Sequence, residues 1–365
     1  MSRLDKLVDK LCPNGVEYKE LKKILTIKNG CDYKHLRNGN IPVYGSGGII
    51  THVDRSAYDR PSVLIPRKGS VDKLYYVEEP FWNVDTIFYT EIDDSKAIPK
   101  YVYYCLQMKH LEQYNTAGGV PSLTQTVLNK VKIPVPPLPV QREIVRILDN
   151  FTELTAELTA ELTARRKQYD YYRDSLLTFS DNVPLQSLSE ICTISAGGDV
   201  PKGAMSKEKT DKYSIPIISN GIGENAFYGY TSIAKVDGPA VTVAARGTIG
   251  YAAYRDYPFF PIVRLLSAVP RDNTVLNTRY LYYCLQDKQY SVPMSGIPQL
   301  TAPELKKIKI PLPPLDVQEC IVSILDRFDA LCNNLTSGLP AEIEARKKQY
   351  EYYRDKLLTF QEMKA

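Results

Sequence analysis

The chain has 365 residues, 44% hydrophobic and 24% charged, with a formal net charge of +4. That balance excludes a disordered polypeptide and leaves room for two ordinary domains, while no stretch reaches the ~18 apolar residues of a membrane span. A charge this small does not by itself mark a nucleic-acid protein, since many enzymes carry a surface equally mixed.

At the N-terminus MSRLDKLVDKL is charged throughout and lacks a signal-peptide core, so a cytoplasmic location is expected. The cysteines are odd in number, seven, and form no C-x-x-C pair, and the three histidines all lie in the first third. Neither a zinc site nor a disulfide framework is suggested, and reduced, mostly buried thiols are expected.

Taken in order, the elements occur twice. VEYKELKKILTIKNG from Val16 matches VPLQSLSEICTISAG from Val183 at its Leu, Ile, Thr and Gly positions. NIPVYGSGGI from Asn40 and SIPIISNGIG from Ser214 each read as a strand ending in a Gly-rich turn, and the β-branched runs SVLIP and AVTVA predict strands that lead into RKGS and ARGT. YYCLQ recurs at Tyr103 and Tyr282, and GGVPSLTQTVLNKVKIPVPPLPVQREIVRILD is echoed by SGIPQLTAPELKKIKIPLPPLDVQECIVSILD. The order never changes, so the chain is a tandem duplication.

In each copy the Pro-Pro pair (Pro136 and Pro137, Pro313 and Pro314) forbids helix and sets an extended exit. Helix is predicted to follow from about Val140 and Val317. Its apolar seam advances in steps of three and four, including Leu154, Leu158, Leu162, Tyr169, Tyr172 and Leu176 in the first copy and Leu335, Leu339, Tyr350, Tyr353 and Leu357 in the second. These are helix-pairing or partner-docking candidates, for which packing is the simpler reading. Val140 to Thr178 is about 38 residues, a rod of roughly 57 Å. The threefold ELTA array (153–164) can lengthen or shorten it by ~6 Å per unit with little change of face. A break is expected in the second rod at Gly338 and Pro340. The helix ends ARRKQYDYYRDSLLTF and ARKKQYEYYRDKLLTF agree at thirteen of sixteen positions.

The expected architecture is α+β, with two duplicated mixed α/β domains separated by two long antiparallel helices related by a pseudo-two-fold. The divisions are 1–139, 140–180, 181–316 and 317–365.

Catalytic signatures are scarce: there is no P-loop, no G-x-S-x-G and no H-E-x-x-H, and GSGG at 45–48 does not fit a dinucleotide loop. No catalytic residue and no metal site is assigned. What the copies share is a set of polar loop positions. Arg67, Lys68, Gly69 and Ser70 answer Ala245, Arg246, Gly247 and Thr248; Ser46 and Gly47 answer Asn220 and Gly221; Gly119, Ser122 and Thr124 answer Gly296, Gln299 and Thr301. Arg, Lys, Asn and Gln read base edges, while Ser, Thr and backbone amides position phosphates, so these loops are DNA-binding candidates. Taken singly, each equally suits a capping or turn role.

Two non-identical domains, each followed by IPxPPLxxQ…IVxILD and a helix ending RKQYxYYRDxLLTF, resemble the specificity subunit of type I restriction-modification enzymes over essentially the whole chain. The resemblance implies a non-catalytic subunit binding double-stranded DNA, each domain recognising half of a bipartite, asymmetric site. The helices would set the spacer and dock two methylation subunits, which restriction subunits can join. S-adenosylmethionine, ATP and Mg would belong to those partners, with no cofactor in this chain. The competing readings are an autonomous bilobed metal-dependent nuclease, for which Glu17 and Lys19 supply only half a site, and a coiled-coil protein adaptor.

Overall fold

The computed structural model describes residues 3–115, 122–286, 288–290, 298–333 and 337–363. They form two compact units, Met1–Thr159 with Glu342–Ala365, and Ala160–Ala341. The units cut across the linear order, because each contains a mixed domain, the start of the helix that leaves it, and the end of the other long helix.

In the first unit an antiparallel sheet is ordered Leu25–Lys28, Ile87–Ile92, Ser62–Pro66, Tyr75–Val77. A second sheet places Ile41–Gly45 between its antiparallel neighbour Gly48–Val53 and the parallel strand Trp82–Asn83. The second unit repeats the plan: Cys192–Ala196, Leu266–Pro270, Ala240–Val243, Ala252–Arg255 in one sheet, and Phe227–Thr231, Ile215–Ile218, Phe260–Pro261 in the other, now with Met205–Ser206 added at the edge. Both β-branched runs are interior strands of their sheets and are buried on both faces, as their near-continuous apolar sequence anticipates.

The YYCLQ segments lie on the helices Pro99–Met108 and Thr278–Leu285, which pack against the sheets through the fully buried Tyr101, Tyr104, Tyr280 and Tyr283. A buried phenol needs a hydrogen-bond partner. Tyr101 donates to the Pro134 carbonyl (3.1 Å) and Tyr280 to that of Pro311 (3.0 Å), tying each helix to the strand before the proline pair. Tyr104 donates to Asp149 (2.5 Å), and Tyr283 donates to Asp326.

Behind the proline pairs stand two buried glutamines. Gln141 accepts from the Ile98 N–H (2.9 Å) and donates to the carbonyls of Lys96 (3.0 Å) and Pro136 (2.8 Å). Gln318 accepts from Asn277 N–H (2.9 Å) and donates to Val275 (2.9 Å) and Pro313 (2.8 Å). An amide that offers one acceptor and two donors thus satisfies three backbone groups at the same corner of each copy. The helices that follow begin at Leu138 and Leu315, two residues before the expected start. Their first turn needs no amide donors, so Pro139 is tolerated there.

The first long helix, Leu138–Leu176, is continuous over 39 residues. Its threonines return their hydroxyls to the preceding turn, as Thr155 does to Phe151 (2.8 Å) and Thr159 to Thr155 (2.7 Å), which lets them sit inside a helix. The second is divided into Leu315–Asn333 and Leu339–Leu357, with Pro340 in the first turn of the latter.

Within the first unit Phe151 stacks on Tyr353 (5.4 Å between centroids), and Thr155 and Lys347 line one cavity, so these segments run antiparallel. Within the second, Tyr172 stacks on Phe328 (5.5 Å). The chain ends meet in the first unit: Val16 N–H donates to Gln361 O (2.9 Å), Met363 N–H to Val16 O (3.1 Å) and Tyr18 OH to Phe360 O (3.1 Å). In the second unit the peptide chain itself makes the corresponding join, from Phe179 into Val183.

Candidate nucleic-acid interface

In the first unit Ser46 and Gly47 form the turn between Ile41–Gly45 and Gly48–Val53. Thr86 joins that turn to the next loop, its hydroxyl accepting from Ser46 N–H (3.3 Å) and its carbonyl from Arg67 N–H (3.0 Å). Gly69 has φ +76°, a conformation that favours glycine, and a side chain there would point to within 3.9 Å of Ser46 Oγ. Lys68 pairs with Ser122 across an antiparallel bridge, and Leu123 N–H donates to Arg67 O (2.9 Å). Ser46, Arg67, Lys68, Gly69 and Ser122, from three separate stretches of sequence, therefore share one edge, with Ser70 next in chain. The Arg67 guanidinium lies over the Phe88 ring at 5.2 Å.

The second unit builds the same edge with other side chains. Leu300 N–H donates to Ala245 O (2.9 Å), matching the Leu123 contact. Asn220 is the hub: its Oδ1 accepts from Ala245 N–H (2.8 Å), its Nδ2 donates to Val263 O (2.6 Å), and its carbonyl accepts from the Thr248 hydroxyl (2.7 Å). A side chain at Gly221 would meet Asn225 O at 2.2 Å, so the turn closes only around glycine. Gln299 Oε1 accepts from both Nε (2.9 Å) and Nη2 (2.6 Å) of Arg246, beside Gly247 at φ +71°.

Thr124 and Thr301 cap the short helices Gln125–Leu128 and Ala302–Lys307; Thr301 forms a capping box with Glu304. They fix the edge locally through backbone hydrogen bonds. Gly119, Gly296 and Leu335 lie outside the described residues.

The helix candidates divide by environment. Tyr169, 4% exposed, donates to Gln286 (2.6 Å), and Tyr350 donates to Gln107 (3.0 Å), so each repeated helix end seats on the YYCLQ helix of its own unit. Tyr172 and Tyr353 take the ring stacks already described, Leu176 and Leu357 pack against the two cores, and Leu339 is buried. Leu158 and Leu162 are half-buried, whereas Leu154 is exposed.

A model of the type I restriction modification DNA specificity domain matches residues 13–165 and again 182–345. The chain belongs to this family. Among curated members, a Haemophilus influenzae protein named as a type I restriction enzyme specificity subunit is 32% identical, covering 98% of each chain. The EcoR124I/EcoR124II specificity subunit of Escherichia coli is 35% identical over 74% of this chain and 73% of its own. The fold is similar to the crystal structure of the type I S subunit from M. genitalium, with TM-score 0.61 at 16% identity, covering 94% of this chain and 95% of that one.

For this specificity-domain protein, sequence periodicity selected the seam and so passed over Tyr171 and Tyr352. They occupy the same place in the two repeated helix ends and are 69% and 62% exposed. Each meets the neighbouring stacked ring edge-on, Tyr171 with Tyr172 (5.6 Å) and Tyr352 with Tyr353 (5.3 Å). The available signal was an aromatic residue off the seam in both copies. Val263 and Arg264 were passed over too: both adopt positive φ (52° and 61°), held by hydrogen bonds from their amides to Gly198 O (2.9 Å) and Gly197 O (3.1 Å). Two consecutive non-glycine residues in this region carry strain, which a binding loop can exploit. Among the described residues, no helix is long and apolar enough to cross a membrane.

Proposed function

We propose that the chain is the DNA-recognition subunit of a type I restriction-modification assembly, each unit reading one half of a bipartite, asymmetric site. The observation that carries this reading is the repeated loop edge, built with one backbone plan and different side chains. Lys68 and Ser122 occupy in the first unit the places of Arg246 and Gln299 in the second. A scaffold serving one symmetric target would have no need of that divergence. Base readout depends on donor and acceptor pattern, so altered side chains on a common frame yield different half-sites.

The helices set the half-site spacing and offer two pseudo-equivalent surfaces to two methylation subunits, with Tyr171 and Tyr352 as their exposed aromatic anchors. Catalysis, S-adenosylmethionine, ATP and Mg belong to the methylation and restriction subunits, and the assembly works in the cytoplasm. With a net charge of only +4, much of the phosphate neutralisation falls to the partners, so DNA binding by the isolated chain is weak and salt-sensitive.

Methylome sequencing of cells carrying the complete system tests the reading. A bipartite motif that disappears on deletion of this chain is expected, and removal of one ELTA unit should change the spacer while leaving both half-sites intact. A methylome indifferent to the chain would sink the proposal.

A further inference from the structure

The second unit differs from the first most sharply at the Arg246–Gln299 pair. Nε and Nη2 of Arg246 both donate to the single Oε1 of Gln299. That contact fixes the guanidinium plane, because two donors on one edge of the fork converge on one atom. It leaves both Nη1 hydrogens and one on Nη2 without a use in the pair, a forked set of donors at the far end of the side chain. The orienting group is a neutral amide, so unlike a carboxylate it leaves the positive charge uncompensated.

The pair lines a groove of about 620 Å³ together with Gly197, Asp199, Arg264 and Thr301. Two cations against one carboxylate give this groove an excess of positive charge. One wall is the strained Val263–Arg264 segment, whose Val263 is 49% exposed. Asn220 holds both sides of it, accepting from Ala245 N–H and donating to Val263 O. Lys68, the counterpart in the first unit, is a point charge without a fork, beside a serine too short to orient it.

A planar fork of donors, fixed before the ligand arrives, fits two acceptors side by side. Guanine presents O6 and N7 in that arrangement in the major groove, whereas adenine places the N6 donor where the second arginine hydrogen must go. A phosphate can also take such a fork through two of its oxygens, but that contact is indifferent to N7, and this separates the two. We infer that Arg246, positioned by Gln299, reads a guanine through O6 and N7 in the half-site of the second unit. This rests on the DNA-recognition reading above.

The test uses the chain assembled with its methylation subunits and duplexes carrying the motif found by methylome sequencing. Each guanine is replaced in turn by 7-deazaguanine, which lacks N7, or by inosine, which keeps both acceptors. For the parent, 7-deazaguanine at one position should weaken binding by roughly ten-fold, while inosine there changes little. In Arg246→Met, which keeps the stem and removes every donor, that penalty should shrink below about two-fold, with penalties in the other half-site unchanged. Should Arg246→Met fail to assemble, Gln299→Ala, which frees the guanidinium plane, carries the same comparison. No sensitive guanine, or a penalty that survives the substitution, overturns the assignment. The outcomes separate: absence of any bipartite motif defeats the DNA reading itself, whereas a motif without N7 dependence defeats only the role of Arg246.

Discussion

Replacing Gln141 with leucine keeps the volume of a fully buried side chain and removes its three hydrogen bonds. The bond to Pro136 O is buried; those involving Ile98 N–H and Lys96 O are partly buried. A buried group left unsatisfied costs about 1–3 kcal/mol and a partly hydrated one nearer 1, so Gln141→Leu should lose about 3–5 kcal/mol. The equivalent change, Gln318→Leu, should cost the same amount, since Asn277, Val275 and Pro313 replace Ile98, Lys96 and Pro136. No partner is shared between the two corners, so the losses should add in the double variant within about 0.5 kcal/mol. Urea unfolding followed by hydrogen exchange reads both quantities, with selective loss of protection at Ile98 in one variant and at Asn277 in the other. A Gln141→Leu protein within 1 kcal/mol of the parent (about the cost of one partly hydrated bond), with Ile98 still protected, would show that the amide is not what holds the domain to its exit. Gln141→Glu sharpens the point. Its carboxylate would face two carbonyls, so this variant should be weaker at pH 8 than at pH 5.

The exposed aromatics offer a functional counterpart: Tyr171→Ala and Tyr352→Ala should each weaken capture of one methylation subunit by about 2 kcal/mol without changing the chain's own unfolding. Calorimetric titration showing two undisturbed sites would count against them as anchors. Glu143, 5% exposed, accepts from Arg146 at 2.7 and 3.1 Å and pairs with Arg3 at 3.5 Å. The Arg146 hydrogen bonds hold its carboxyl below the usual range, against burial that raises it. The pair's contribution is therefore complete above the unfolded-state value of ~4.3 and lost as pH falls through the lower folded value. Glu143→Gln should flatten the acid side of the stability profile, and parallel profiles would refute this. Thiol titration of the native protein should find Cys31 and Cys320 reactive, while Cys105 and Cys192, buried and pushed up to about 12, wait for unfolding. Rapid modification of either buried thiol in folded protein would contradict their packing.

The repeated helix end owes its seam to periodicity and its neighbours to packing. ARRKQYDYYRDSLLTF and its echo established a duplicated rod with an apolar seam, because a period near 3.6 fixes which residues share a face. Periodicity does not say what that face meets. Tertiary contacts decided it: Tyr169 and Tyr350 seat on Gln286 and Gln107, and the off-seam Tyr171 and Tyr352 are left facing outward.

By itself the sequence determined the duplication, the proline-bounded exits, the strand runs SVLIP and AVTVA, and the family through motifs carried twice. All of these follow from local propensity, fixed backbone angles or repetition within one chain. Only the tertiary structure decided which loop side chains act together. Arg246 and Gln299 stand 53 residues apart, and Asn220 reaches Val263 across 43, so no local rule could pair them. It also laid the Arg67 guanidinium over Phe88 of another strand while Lys68 beside it stays exposed, because the two directions a strand end offers are settled by what packs beneath.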